Sequence, residues 1–322
     1  MSPGIALAYK SCQKFSRVSC VVAIVLISIL NLARVELNIS VQLIIALSAL
    51  ALGIPHGAVD HLVALPSRPR SRLIIYMGIY VVLAACAVAF IAHWATLGFQ
   101  LVLIMSGLHF GFGDASFKNE ELEYSGKERN SLATEIIFAI PAGFIALLLP
   151  LTNSQTASAL ARINEDIVNW AGGYSHLLRM ATLTTALLSL GCLALLKKFD
   201  LALDLLLLLL LGLLTPPLIT FAIYFGCWHA IRHTARLIPK LHKAQNLADA
   251  HDLWGALRAA VFPGLYALIG TVCTAAILMV FSPTNFSSSL LWSTLVLVWA
   301  LTVPHMLTTA RFDFSALGSA AK

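Results

Sequence analysis

The chain has 322 residues, of which 59% are hydrophobic and 11% are charged, and its formal net charge is +6. Soluble domains contain about 45–50% apolar and about 25% charged residues, so this composition excludes an ordinary soluble protein and indicates an integral membrane protein. The basic residues lie between apolar runs, where they act as topology signals. This arrangement argues against nucleic acid as a partner.

Apolar runs of about 17–25 residues predict an all-α, polytopic transmembrane helical bundle with eight to ten spans. The first run follows Lys10, Lys14 and Arg17, a pattern that also fits a signal peptide, but no clear small-residue cleavage site follows it. We therefore interpret it as a retained helix. The whole chain, 1–322, is predicted to form one membrane domain, with a helical bundle at 18–310 and short cytoplasmic termini. The ten predicted spans are 18–33, 41–64, 72–93, 97–113, 132–150, 175–197, 201–214, 217–236, 260–281 and 290–309.

The run at 201–214 is the weakest of the ten, because it is short and contains Asp204. With ten crossings and a cytoplasmic N-terminus, all but three of the 21 basic residues (Arg34, Arg162 and Arg179) fall on the cytoplasmic side. This is the distribution that the positive-inside tendency predicts, whereas omitting this run would reverse every later loop. The sequence therefore predicts a multi-pass protein of the inner (plasma) membrane with both termini in the cytoplasm.

Three longer polar stretches are predicted to be loops. Residues 115–131 and 237–259 are interpreted as solvated cytoplasmic loops, and residues 151–172 as an external loop. The six cysteines are scattered without a Cys-x-x-Cys pair, so they predict neither a disulfide framework nor a thiolate metal site.

Four predicted spans carry a histidine at a similar depth, namely His56, His109, His229 and His305. Each lies about four to eight residues before the cytoplasmic end of its span, roughly 6–12 Å below that surface. Ionisable side chains inside a span are costly and usually face a functional interior, and imidazole is the commonest nitrogen ligand for metals. His229 and His233 are four residues apart and share one helix face, so both can bind one ion. The pattern predicts a buried metal centre.

Neighbouring side chains are candidates for supporting roles. Pro55 kinks its helix and directs His56 inward, and Asp60 either accepts a hydrogen bond from this imidazole or pairs with His61. His305 is interpreted as lining the pocket or bonding to another helix. Taken singly, each of these features is also explained by helix packing, and the metal hypothesis depends on the agreement in depth. The supporting candidates are Asp60, His61, Asp114, Phe110, Trp228 and His305.

Several sequence blocks together resemble the Brp/Blh family of membrane carotene dioxygenases, over about residues 40 to 310. The resemblance implies oxidative cleavage of β-carotene at its central double bond to two molecules of retinal, using Fe(II) and O2 within the membrane. It also implies that His56, His109, His229 and His233 are the catalytic iron ligands. The sequence that ends at Asp114 matches the family less closely, which leaves the role of this residue open. The blocks are Gly53–His61, His109–Gly111, Phe225–His233 and Pro304–Met306.

The leading hypothesis is a carotenoid-cleaving oxygenase whose partners are a carotenoid, O2, the lipid bilayer and, functionally, a rhodopsin that uses the retinal. The chain has no lysine in the middle of a predicted span, so it is not the retinal-binding opsin itself. A His/Asp-relay transporter would require paired repeats and midplane charges, which the sequence lacks. A non-enzymatic accessory protein that binds carotenoid or retinal and a bis-histidine haem protein remain as alternatives. Imidazole ligands alone also suit zinc or copper.

Overall fold

A computed structural model of the chain describes residues 2–60, 62, 69–280 and 286–318. These residues are predominantly helical and contain no β-strand, which confirms the predicted all-α class. His61, one of the supporting candidates, lies outside the described residues. The α-helices are α1 (Pro3–Leu32), α2 (Ile39–Gly57), α3 (Arg70–His93), α4 (Ala95–Tyr124), α5 (Leu132–Leu151), α6 (Ser154–Ile163), α7 (Ser175–Leu195), α8 (Phe199–Leu214), α9 (Pro217–Ala222), α10 (Ala230–Leu237), α11 (His242–Asp249), α12 (Leu253–Val261), α13 (Leu265–Val280) and α14 (Phe286–Gly318).

Among the described residues, eight helical segments are long and apolar enough to cross a membrane. They correspond to eight of the ten predicted spans and indicate a multi-pass membrane protein. Of the two remaining predicted spans, 201–214 corresponds to α8, which has 16 residues. This helix is about 24 Å long, which is shorter than a hydrocarbon core of about 30 Å. The candidate spans are Pro3–Leu32, Ile39–Gly57, Ser71–His93, Ala95–Tyr124, Leu132–Leu151, Ser175–Leu195, Leu253–Thr274 and Leu291–Ala310.

The segment predicted as one regular span at 217–236 is divided into three pieces. Between α9 and α10 the backbone forms a π-helix over Ile223–His229. A π-helix has i→i+5 hydrogen bonds and therefore a wider turn than an α-helix, and such segments are frequent at functional sites. The prediction of one regular helix was wrong here, because an apolar run does not reveal a change in turn width. His229 is the last residue of the π-helix, and His233 lies one turn later in α10.

Two of the predicted loops are helices that form a cap at one end of the bundle. The helix α4 continues to Tyr124, and within it Lys118 is 2% exposed and Asn119 is 0% exposed, so residues 115–131 are not a solvated loop. Residues 237–259 include α11 and α12, and α1 begins at Pro3 rather than at 18. The helix α11 has only one apolar face, so its mean hydropathy is low and resembles that of a loop. The helix α12 is more apolar and begins the candidate span Leu253–Thr274. The buried cap residues include Ile5, Ala8, Tyr9, Phe117, Ala235, Ala244, Ala248, Ala256 and Ala260.

The stretch predicted as an external loop at 151–172 also contains secondary structure. The helix α6 and a 3-10 turn at Glu165–Ile167 occupy most of it. Ile167 and Trp170 are buried against Phe99 of α4, so this stretch packs on the bundle instead of extending from it.

The helices α4 and α5 approach each other backbone to backbone. A Cβ atom built on Gly111 would lie 1.9 Å from the carbonyl oxygen of Ala139, and one built on Gly143 would lie 1.8 Å from the carbonyl oxygen of Gly107. Small residues at such positions permit the close helix contacts that are common in membranes. The contact fixes the rotation of α4 about its axis and thereby the direction in which His109 points.

Replacing Gly111 with alanine is expected to destabilise the protein by about 1–3 kcal/mol, because the added methyl group overlaps a backbone atom and the two helices must separate. The measurement is the temperature at which monodisperse protein is lost in detergent. The matched control is Gly191→Ala on α7, where a Cβ atom has nothing within 4 Å. Equal melting of the two variants would show that α4 and α5 are not in this close contact.

Candidate metal centre

Four separate segments bring histidines to one place. His56 lies at the end of α2, His109 in α4, His229 and His233 across the junction of the π-helix with α10, and His305 in α14. Four of the five are buried, for example His56 at 5% and His229 at 2% exposed, and His109 is half-buried. The helix α14 packs on α3, α4 and α13, while α2 packs on α9, the π-helix and α13, so the cluster lies where these helices meet. The structure thus brings together all four predicted ligands and adds His305 to them.

The five imidazole rings form a regular arrangement. Ring centroids follow a closed circuit from His56 to His229 (5.4 Å), His109 (5.1 Å), His305 (5.0 Å) and back to His56 (5.7 Å). His233 contacts every member of the circuit, at 4.9 Å from His56, 5.9 Å from His229, 6.2 Å from His109 and 5.5 Å from His305. The rings that lie opposite each other in the circuit are His56 and His109, and His229 and His305. Within the described part of the chain, neither of these pairs is in ring contact.

The donor chemistry of the cluster fits a bound cation. In the described part of the chain, each of the four predicted ligands has one buried ring nitrogen that makes no hydrogen bond: Nδ1 of His56, Nε2 of His109, Nε2 of His229 and Nδ1 of His233. Buried polar atoms normally have a partner, so unpartnered nitrogens on four neighbouring rings are a donor set of the kind that a cation requires. Rings that bind one ion at about 2.0–2.1 Å have centres roughly 4.5–5.3 Å apart if the angle between ligands is near 90–110°. The observed separations are slightly wider, and no group of three or more His, Cys, Asp or Glu side chains in the described ranges already has the donor spacing of an assembled site.

Two polar side chains hold rings of the cluster in place. His305 donates from Nδ1 to Oδ2 of Asp60 at 2.8 Å, so the structure pairs Asp60 with His305 rather than with His56. Thr309 Oγ1 donates to the backbone oxygen of His305 at 3.1 Å and accepts from Nδ1 of His109 at 3.2 Å. Such bonds fix which ring nitrogen carries the proton and which is available to a metal. Thr309 was not among the residues predicted from the sequence.

The other supporting candidates occupy two different places. The Phe110 ring lies 4.5 Å from the ring of His229, beside the cluster. Asp114 lies one layer away, where it accepts hydrogen bonds from Nε1 of Trp228 at 3.0 Å and from the hydroxyl of Tyr224 at 3.3 Å. The structure therefore places Asp114 and Trp228 with each other and not with a histidine.

A layer of ion pairs, buried at Arg232 and Asp204 and exposed at Asp200, lies next to the cluster. Arg232, which is 1% exposed, lies 2.9 Å from Asp204, which is fully buried, and its guanidinium stacks 3.7 Å from the ring of Trp228. Asp204 also binds Arg17 at 2.6 Å, and Asp200 binds Arg17 at 2.7 Å and Lys118. These pairs join α10 to α1, α4 and α8. They fix α10 at Arg232, the residue directly before His233. These pairs were not predicted from the sequence, because Asp204 was interpreted only as evidence against a membrane span at 201–214.

A cavity of about 270 Å³ begins at the histidines and reaches the outer surface of the bundle. Its outer rim lies between α3 and α13, at the exposed residues Met77, Val81 and Ala267. Tyr76 and Tyr80, which the sequence analysis did not identify, form part of its wall. The lining also includes Ile54, His56, Gly57, Ala58, Asp60, Ser106, His109, Phe110, Phe225, His229, Thr271, Val298, Leu301, Thr302, His305 and Met306.

The fold and the site define a multi-pass membrane protein with a buried histidine cluster at the end of an apolar cavity. A family model described as beta-carotene 15,15'-dioxygenase matches residues 47–313, a range that contains all five histidines, and the chain belongs to this family. The beta-carotene 15,15'-dioxygenase of uncultured marine bacterium 66A03 is 27% identical over 265 residues, which cover 80% of this chain and 88% of that protein. No solved structure matches the chain significantly. Family membership confirms the resemblance found in the sequence and supports an oxygenase.

Proposed function

We propose that this protein is an iron-dependent dioxygenase that cleaves β-carotene at its central 15,15' double bond and releases two molecules of retinal. The observation that carries this proposal is the cluster of buried imidazoles at the inner end of an apolar cavity that opens toward lipid. The family description and the name of the relative from the marine bacterium support the reaction and the substrate. The reaction balances with one carotene and one O2, because each new aldehyde takes one oxygen atom.

His56, His109, His229 and His233 would hold the iron, and their buried unbonded nitrogens are the donor atoms for it. Bound Fe(II) would supply the chemistry that activates O2. Neutral imidazoles add no negative charge, and donor atoms of this type also suit zinc and copper, so the choice of iron depends on the family. The chain's own contribution is to hold the donors in a site enclosed by Phe110 and Phe225, which excludes water from the reacting carbons.

The cavity wall suits a long hydrocarbon. Two tyrosines contribute ring faces to it, and their hydroxyl groups are already bonded elsewhere: Tyr76 to Oγ1 of Thr308 at 3.0 Å and Tyr80 to the carbonyl oxygen of Leu301 at 3.3 Å. A tyrosine whose hydroxyl is satisfied presents an apolar surface. Burial of apolar area, at about 25 cal/mol per Å², would then bind a polyene without any polar group on the substrate.

The outer rim of the cavity gives the substrate a route from the membrane. Met77 is 40% exposed and Val81 is 60% exposed, on an α3 surface whose residues are apolar and face outward. A carotene dissolved in the hydrocarbon core can pass between α3 and α13 without entering water, where its exposure would be costly. This route explains why the site is placed inside a membrane bundle.

Narrowing the rim is expected to slow the reaction. In the variant Val81→Trp, a larger side chain occupies the opening, and retinal formation at limiting carotene should fall by roughly tenfold, equivalent to about 1.4 kcal/mol. Val82→Trp is a matched control, because Val82 is 61% exposed on the same helix but does not line the cavity. Retinal is quantified by chromatography at equal protein and metal content. Equal rates for the two variants would place the opening elsewhere.

The proposed activity is tested with purified protein in lipid vesicles that contain β-carotene, supplied with Fe(II) and ¹⁸O2. The expected result is two molecules of retinal for each carotene consumed, with one labelled oxygen atom in each aldehyde. Folded, iron-loaded protein that binds carotene and leaves it intact would favour the accessory carotenoid-binding protein. A Soret band in the purified protein would favour the haem protein.

We also propose that the protein resides in the plasma membrane with both termini in the cytoplasm, and that its retinal serves a rhodopsin. The charge asymmetry supports this orientation. Lys10 and Lys14 lie on the part of α1 that packs in the cap, together with Lys243 of α11 and Arg258 of α12. Basic segments of this kind remain on the cytoplasmic side of bacterial and other membranes.

A further inference from the structure

The histidine of α14 occupies a position in the cluster equivalent to the others. The ring of His305 lies 5.0 Å from the ring of His109, 5.5 Å from that of His233 and 5.7 Å from that of His56. These separations fall within the range found among the other four rings. His305 is only 5% exposed, so its imidazole belongs to the same buried volume as the proposed ligands.

The pattern of contacts defines a square pyramid. The circuit through His56, His229, His109 and His305 forms the square, and His233, which contacts all four, forms the apex. Without His305, one corner of the square is missing. The five rings would hold a metal between them, and the side of the square opposite His233 would then have no imidazole from the described residues.

The cavity lies on that open side. The four histidines of the square line it, whereas His233 is not among the lining residues in the described part of the chain. The remaining coordination position therefore faces the space in which a substrate would lie. This agreement between ring contacts and cavity lining comes from two independent features of the structure.

Asp60 sets the orientation of the His305 ring. The carboxylate accepts the Nδ1 proton of His305 at 2.8 Å, so Nε2 is the ring nitrogen that can bind a metal. Asp60 is itself 4% exposed, and a carboxylate with so little water contact needs a partner of this kind. Gly57 allows the approach, because a Cβ atom there would lie 3.3 Å from Nδ1 of His305. A metal-binding histidine typically donates its other N–H to a carboxylate in this way.

We propose that His305 is a fifth imidazole ligand of the metal and that Asp60 is its positioning residue, which leaves one coordination position facing the cavity. The identity of the metal as iron rests on the proposed function, while the number of ligands does not. The ligand count can therefore be measured with a metal that needs no turnover.

The experiment uses the full-length protein in detergent, loaded with Co(II), whose visible absorption strengthens as its coordination number falls. Wild-type protein is expected to show the weak bands of a six-coordinate ion, with water in the last position, and His305→Ala should show stronger bands. Asp60→Asn should keep the wild-type spectrum when saturated but bind Co(II) about 10–100-fold more weakly in competition with a chelator. His176→Ala, at an exposed position of α7, is the control and should match wild type in both measurements.

An unchanged spectrum and affinity in His305→Ala would overturn the proposal, as would an Asp60→Asn variant that binds Co(II) as tightly as wild type. If His305→Ala does not fold, the affinity of Asp60→Asn decides the question by itself. A five-imidazole site in a protein that leaves β-carotene intact would contradict the proposed function and support this inference. Carotene cleavage by a protein whose Co(II) spectrum does not change in His305→Ala would support the proposed function and contradict this inference.

Discussion

Retinal formation is expected to be lost in the His229→Ala variant. His229 contacts the rings of both His56 and His109, and its buried Nε2 makes no hydrogen bond, so its removal takes away a donor from the square of the cluster. Removing a residue that only hydrogen-bonds to a metal ligand lowers metal affinity or activity by about 10–100-fold. Removing the ligand itself should therefore lower the rate of retinal formation by at least roughly a hundredfold. The measurement is retinal formed per protein, together with bound iron after removal of weakly held metal.

A histidine outside the cluster provides the control for this prediction. His176→Ala changes an exposed side chain at the start of α7 and should leave both iron content and rate unchanged. Both variants are first compared by size-exclusion chromatography, because His229 is 2% exposed and its truncation leaves a cavity. A folded His229→Ala protein that retains iron and forms retinal at the wild-type rate would exclude His229 as a ligand.

The Asp204→Asn variant is expected to show the largest loss of stability, about 3–5 kcal/mol. It leaves the Arg232 guanidinium, 1% exposed, without the carboxylate that lies 2.9 Å away, and the nearest remaining acid is Asp114 at 3.9 Å. A buried charge without its partner is strongly destabilising, because water cannot replace the lost interaction. The readouts are the unfolding temperature in detergent and, since Arg232 directly precedes His233, the retention of bound metal.

Asp200→Asn is the matched control for this prediction. Its side chain is 55% exposed, and the two cations that it contacts each keep a second acid: Arg17 keeps Asp204, and Lys118 keeps Glu121 at 2.9 Å. The expected cost is therefore below about 1 kcal/mol, as for other solvent-exposed pairs. If Asp200→Asn and Asp204→Asn unfold at the same temperature, the pair of Arg232 and Asp204 is not isolated from water as the structure indicates.

The sequence predicts the four proposed ligands because two simple rules act on them. A polar ring within an apolar run is costly, and position along each span gives a common depth to His56, His109, His229 and His305. The four-residue spacing from His229 adds His233, and the family resemblance implies which four of these five rings are the ligands. Depth is only one coordinate, however. The position of His305 in the cluster depends on how far α14 is rotated about its axis, and that rotation is set by contacts with Gly57 and Asp60 on another helix.

The cap shows a second limit of inference from hydropathy. Lys118 and Glu121 are charged and yet buried, since each has its partner supplied by a neighbouring turn or helix. A window average of hydropathy counts such residues as solvent-facing, because it scores each charge without regard to its ion-pair partner. The apolar stripe of Ala244 and Ala248 is likewise diluted by the polar residues between them.

The π-helix has a consequence for anyone who compares or redesigns this segment. A helical wheel drawn through 217–237 assumes one constant winding, whereas a π-helical turn takes up one residue more than an α-helical turn. One such extra residue offsets every later side chain by roughly 100° on the wheel. The face of α9 that packs on α2 and the face of α10 that carries His233 are therefore out of phase with each other. A regular α-helix built through 217–237 would therefore place His229 and His233 on a different face, relative to the α9 residues that pack on α2, from the one that they occupy in the structure.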